Sequence, residues 1–272
     1  HQDHRTLMAE TEPIHEAARR GDVESLRREL AAGISPNLRT PVNHTLRFGG
    51  RTPLHLCFSA GGERIPECCR VLIAAGADVN ARDVRGQMPI HYVASQPVVA
   101  ERFNESDSKQ ALEALEFLLG SGADVNATDY GISMTDYRWT PLHCAAWYGF
   151  ADAIEPLIRA GALVNERDAR NMMPLDYYIS PRGYWYGFSV NRKSRIYPLF
   201  LQAGADLRLN ADLPTQTDVP YLQAVIDAGG FKKYAERHLA TITALFARTE
   251  RLPPEMVRHV VGFWLHAGYY VY

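Results

Sequence analysis

Two short phrases alternate along most of this chain, and that alternation limits the possible folds more than any other feature. The first is a proline, an aliphatic residue and a polar one: Pro13-Ile14-His15, Pro53-Leu54-His55, Pro89-Ile90-His91, Pro141-Leu142-His143 and Pro174-Leu175-Asp176. The second opens with glycine: Gly33-Ile34-Ser35-Pro36-Asn37, Gly76-Ala77-Asp78-Val79-Asn80, Gly122-Ala123-Asp124-Val125-Asn126, Gly161-Ala162-Leu163-Val164-Asn165 and Gly204-Ala205-Asp206-Leu207. Copies kept in one order mark internal repeats. A unit this short cannot bury its own apolar faces, so neighbours must stack into one continuous core.

The phrases also make local sense. Thr52 and Thr140 stand where a hydroxyl can cap a helix, and Pro53 and Pro141 then fall at the first helical position, where no N–H is needed. Each closing glycine lies where a helix ends in left-handed backbone. Between the phrases run apolar residues at helical spacing, such as Leu115, Phe117, Leu118 and Leu119, or Ile154, Leu157 and Ile158. The fold class that follows is all-α.

These residues resemble the ankyrin-repeat family over residues 12–207. The resemblance implies a solenoid of antiparallel helix pairs, each followed by a projecting β-turn finger. Five repeats are recognisable, then a degenerate sixth and a C-terminal helix. The expected organisation is a tail at 1–11, repeats one to five at 12–207, a sixth repeat or cap at 208–250 and a last helix at 251–272.

The family's unit of about 33 residues is not kept evenly. From Pro to Gly the intervals are 20, 23, 33, 20 and 30 residues, and from Gly to the next Pro they are 20, 13, 19 and 13. The extra residues are expected in connections: between the helices of units three and five, and in the first and third fingers. Insertions in a solenoid map to loops, which often carry function.

The last helix opens at Leu252-Pro253-Pro254, and Met256, Val257, Val260, Val261, Trp264 and Leu265 form a stripe at helical spacing. This stretch resembles the opening of an F-box and the F-box-like tail of poxviral-type ankyrin proteins. That resemblance implies docking of a cullin-ligase adaptor through Met256, Val260, Val261 and Trp264. The alternative is that the stripe caps the solenoid.

Catalysis finds no support. His15-Glu16-Ala17-Ala18-Arg19 starts like a zinc-protease helix but carries Arg where the second ligand belongs. The recurrent His15, His55, His91 and His143 occupy one repeat position, which reads as a structural ladder rather than a metal site. Four cysteines (Cys57, Cys68, Cys69 and Cys144) read as buried thiols in a reducing compartment. No catalytic residue, metal or cofactor is expected, nor a small-molecule substrate. Lys plus Arg is 29 against 31 acids, net −2, which disfavours nucleic acid as a partner. No apolar run approaches the ~18 residues of a membrane span. The expected setting is intracellular, cytoplasmic or nuclear, with a removed targeting peptide left open because no initiator Met is present.

What remains is a protein-interaction module or scaffold, with the substrate receptor of a cullin-type ubiquitin ligase as the alternative. The family resemblance places partner contacts on the fingers and the exposed side of the first helices. Carried over, it marks Arg19 and Arg20 in unit one, Ser59 and Ala60 in unit two, and Trp147 and Tyr148 in unit four. The long third finger adds Tyr130, Tyr137, Arg138 and Trp139. Trp, Tyr and Arg dominate interface hot spots, although Trp139 and Trp147 could equally pack on each other to stiffen the finger. A second group, Tyr184, Trp185, Tyr186 and Phe188, either folds back on the helices or meets a second partner. Asn80, Asn126 and Asn165 can be hydroxylated in ankyrin proteins; the structural alternative is a hydrogen bond tying down the finger.

Overall fold

The computed structural model describes residues 12–42, 49–58, 64–96, 105–130, 137–179, 197–206 and 220–247. Every regular element among the described residues is an α-helix. These residues divide into two compact units, one ending at Tyr178 and one beginning at Ile179.

The first unit holds four helix pairs: α1 (Pro13–Arg20) with α2 (Val23–Ala31), α3 (Pro53–Leu56) with α4 (Ile65–Ala74), α5 (Pro89–Ala94) with α6 (Glu105–Gly120), and α7 (Pro141–Tyr148) with α8 (Ala151–Arg159). α9 (Pro174–Ile179) follows. Partners within each pair touch. First helices also pack in series, α1 on α3, α3 on α5 and α5 on α7, while second helices do the same from α2 through α4 and α6 to α8. Two helical layers result. The aliphatic residue after each initial proline points between them: Ile14, Leu54, Ile90, Leu142 and Leu175 are all buried. Each contributes about 1.5–3 kcal/mol of burial.

Each second helix closes as its sequence requires. The phrase-opening glycines Gly33, Gly76, Gly122 and Gly161 have φ between 87° and 94°. The next N–H then reaches back five residues, as from Ala77 to Leu72 O and from Ala123 to Leu118 O, the Schellman geometry.

The fingers differ in the span of their closing bonds. Ordinary fingers close by a backbone bond from Asp83 N to Gln87 O and from Asp168 N to Met172 O. The long ones close from Thr40 N to Arg51 O and from Asp129 N to Trp139 O. In unit three one expectation is corrected. Part of its insertion is helical, because α6 runs 16 residues against 9 and 10 in α2 and α4. Residues 105–115 contain no Pro or Gly, and Ala111, Ala114 and Leu115 give the extension a buried face.

The second unit contains α10 (Tyr197–Gln202), α11 (Pro220–Asp227) and α12 (Phe231–Ala247), the last two packed together. Tyr197, Phe200 and Leu201 are buried on α10, and Val225, Ala228 and Tyr234 on and after α11.

Candidate functional site

The fingers are held in register by three ladders of hydrogen bonds, and the candidate surface sits on that frame. The first runs through the histidines. His55 Nδ1 accepts from Thr52 N at 3.2 Å, His91 Nδ1 from Met88 N at 3.1 Å and His143 Nδ1 from Thr140 N at 3.2 Å. An accepting Nδ1 carries no proton, so the proton sits on Nε2. That nitrogen faces the next finger: Gln87 O at 3.0 Å, Ala127 O at 3.0 Å and Met172 O at 3.2 Å. His15 likewise meets Leu38 O at 2.9 Å. Helix capping is therefore reciprocal at Thr52 and Thr140: the imidazole accepts from the threonine N–H, and the threonine side chain accepts in return from the N–H three residues on, at 3.4 Å from His143 N. Burial pushes His55, His91 and His143 down to about 4, against the partial opposition of those backbone bonds. At Asp176 the ladder changes character. Its carboxylate accepts from Met173 N at 2.8 Å, but an ionised carboxylate has no proton to pass forward.

The second ladder runs through the asparagines. Asn37 donates to Gly76 O at 2.9 Å and accepts from Asp78 N at 2.7 Å. Asn80 repeats this with Gly122 O and Asp124 N, and Asn126 with Gly161 O and Leu163 N. Each side chain thus ties its own finger to the base of the following one, a longer reach than a bond within one finger.

The third ladder is backbone. Val84 N donates to Gly49 O, Tyr130 N to Arg85 O at 2.7 Å, and Ala169 N to Tyr137 O at 2.7 Å. Gly49, Arg85, Tyr137 and Arg170 accordingly hold equivalent places, each followed by a residue of positive φ: Gly50, Gly86, Arg138 at 54° and Asn171 at 63°. Gly86 is needed for a second reason. A Cβ there would lie 2.5 Å from the Tyr130 ring, which lies against its backbone.

Aromatic rings pave the third and fourth fingers. Tyr137 stacks on Trp139 at 4.7 Å and 20°, Trp139 meets Trp147 at 5.5 Å, and Tyr177 stands edge-on to both at 5.2 and 5.3 Å. Arg170 lies 4.1 Å over Tyr137, and Arg82 5.3 Å over Tyr130. Beneath, Asp168 accepts from Trp139 Nε1 at 3.1 Å, from the Tyr177 hydroxyl, and from the N–H groups of Arg170 and Met172 at 2.8 and 2.9 Å.

The expected contact residues differ in exposure. Trp139 is only 7% exposed and stands inside the cluster. It packs on Trp147, as the structural alternative held. The surface is left to half-buried Tyr137 and Trp147, to exposed Arg138, and to Tyr130 and Tyr148 at 57% and 39% exposure. Arg19 and Arg20 lie apart at the end of α1, both paired with Glu16, Arg19 at 2.6 Å. Their hydrogen bonds hold Glu16 below the usual carboxylate range. Ser59, Ala60, Tyr184, Trp185, Tyr186, Phe188, Met256, Val260, Val261 and Trp264 lie outside the described residues.

Sequence reasoning passed over Arg85, Arg170, Asp168 and Tyr177. A signal was present: Asp83, Asp129 and Asp168 each fall three residues after Asn80, Asn126 and Asn165. That spacing marks the finger hinge and hence what flanks it.

Among the described residues no group of three or more His, Cys, Asp or Glu is arranged to hold a metal ion, and no helix is long and apolar enough to cross a membrane. All four cysteines are buried and unbridged, and burial pushes Cys144 up to about 12. Helix pairs in two layers, bearing fingers bonded edge to edge, define a repeat protein built to present surface.

The chain belongs to the ankyrin-repeat family: the model for ankyrin repeats matches residues 14–129 and 66–168 in three copies. That family is in general non-catalytic, and its repeats bind protein partners. Similar proteins include alpha-latrotoxin-Lt1a of Latrodectus tredecimguttatus, 29% identical over 144 residues, covering 53% of this chain and 9% of the toxin. Human ankyrin repeat and SOCS box protein 16 is 27% identical over 195 residues, covering 60% of this chain and 39% of that protein. Human NF-kappa-B inhibitor alpha is 29% identical over 120 residues, with 43% and 32% covered. The chain thus spans well under half the length of each.

Proposed function

We propose that this chain is a non-catalytic interaction module that holds a protein partner on the finger edges and first-helix ends of its third and fourth repeats. The observation behind this is the continuous pavement from Arg170 through Tyr137 and Trp139 to Trp147, with Tyr130 and Tyr148 exposed beside it. Large rigid rings beside arginines are what interface hot spots are made of. On this reading residues 12–207 hold five repeats and residues 208–250 a degenerate sixth. Buried thiols fit an intracellular setting, cytoplasmic or nuclear.

The test is cross-linking in native cells with the unaltered chain and with Trp147→Ala combined with Tyr148→Ala. Partners recovered equally by both would refute the surface.

A second reading, substrate receptor of a cullin-type ligase, draws support from the Met256, Val260, Val261 and Trp264 stripe and from a relative named for a SOCS box beside its ankyrin repeats. Recovery of a cullin adaptor by the intact chain, lost on truncation after Arg251, is its expected signature. Equal recovery without the tail removes it. Tyr184, Trp185, Tyr186 and Phe188 are proposed as a second contact patch.

A further inference from the structure

The backbone ladder does more than stiffen the fingers: it sorts their charges. Arg85 and Arg170 occupy equivalent places on the second and fourth fingers, with Tyr137 and then Arg138 between them, and all three arginines are exposed. Among the described residues, the acids of the same hairpins bond back into them. Asp83 accepts from Arg85 N, Gln87 N and the Tyr92 hydroxyl at 2.8–2.9 Å. Asp129 accepts from Trp139 N at 2.9 Å, and Asp168 has the four bonds already described. Asp83 and Asp168 are both buried. The exposed acids Asp78 and Asp124 sit at the finger bases, each accepting from its own asparagine's N–H. A chain of net charge −2 thereby turns a cationic and aromatic edge outward at one place.

Resting on the docking surface proposed above, we infer that this edge binds an extended acidic peptide segment of the partner. Carboxylates at alternate positions would meet Arg85, Arg138 and Arg170, and apolar side chains would lie on Tyr137, Trp147 and the Tyr130 ring. Arginine suits the task because its planar guanidinium grips a carboxylate through two parallel bonds while its face stacks on a ring, as Arg170 does on Tyr137.

The experiment is fluorescence anisotropy on the full chain with a labelled peptide alternating glutamate and leucine. A lysine–leucine peptide and a uridine oligonucleotide serve as comparison probes. The glutamate peptide is expected to bind in preference to both and to weaken with salt. Arg138→Glu with Arg170→Glu should weaken it about tenfold or more. Arg64→Glu with Arg159→Glu, exposed residues beside α4 and on α8, should change it little. If circular dichroism shows the edge variant misfolded, Arg138→Gln with Arg170→Gln takes its place. Equal binding of the two peptides, equal loss in both variants, or preferential capture of the oligonucleotide overturns the proposal. If the peptide fails while Trp147→Ala with Tyr148→Ala still releases the cellular partner, only the chemistry assigned to the partner is wrong.

Discussion

Lowering the pH tests the histidine ladder directly, because its imidazoles work only when neutral. In the native protein Nδ1 of His55, His91 and His143 accepts a backbone N–H. Protonation would turn that acceptor into a donor facing another donor, inside a buried site. Burial accordingly pushes all three down to about 4, against an unfolded value of 6.5. The sign follows from proton counting. Between pH 6.5 and 4 the unfolded chain binds more protons than the folded one, so stability falls as pH falls. Stability from these groups is complete above about 6.5, declines through the window and levels off below about 4. From pH 7 to pH 5 each imidazole removes about 2 kcal/mol, or roughly 6 kcal/mol for three acting independently. Against the ~5–15 kcal/mol stability of an ordinary domain, that is enough to bring the repeats near their unfolding midpoint. Urea unfolding followed by circular dichroism at the two pH values measures the loss. His91→Gln keeps a side chain able to bond without titrating, and should remove about a third of the pH dependence. A urea midpoint that stays constant between pH 7 and 5, or a slope unchanged in His91→Gln, would refute the reasoning.

Other substitutions probe the remaining supports. Asn80→Ala removes the two bonds its side chain makes to the base of the third finger and should cost about 1–2 kcal/mol, softened because water can reach the freed groups; the urea midpoint reports it. Gly86→Ala puts a methyl 2.5 Å from the Tyr130 ring at a φ of 73°. A loss of about 1–3 kcal/mol is expected, with increased quenching of Tyr130 by acrylamide as the ring is displaced. Trp139→Phe keeps an aromatic ring but loses the Nε1 bond to Asp168 and part of the ring packing, for about 2–4 kcal/mol in the same assay. Leu163→Asp should stabilise by about 0.5 kcal/mol, since Leu163 is 54% exposed and Asp78 and Asp124 at the equivalent places accept an N–H from their own asparagines.

How much of this was legible beforehand depended on whether a residue's role repeats. Pro53, Leu54, His55 and Gly76 have roles fixed by neighbours two to four residues away or by the identical residue one unit on, so period alone exposed them. The aromatic cluster is different. Trp139 follows an insertion and Tyr177 belongs to α9, and nothing local says that both hydroxyl and indole meet at Asp168. Sequence could mark Trp139 and Trp147 as notable but could not tell support from contact, because that distinction is a matter of burial, set by residues 29 to 38 positions away. The charge sorting was hidden for a related reason. Arg85 and Asp83 lie two residues apart and look like a cancelling pair on paper. In the folded finger the left-handed turn at Gly86 sends the carboxylate inward to collect backbone N–H groups and leaves the guanidinium outside. Net charge along a strip of sequence is therefore a poor guide to a finger's surface, and the repeat frame, by aligning Arg85 with Tyr137 and Arg170, sets two such local events on either side of an aromatic ring.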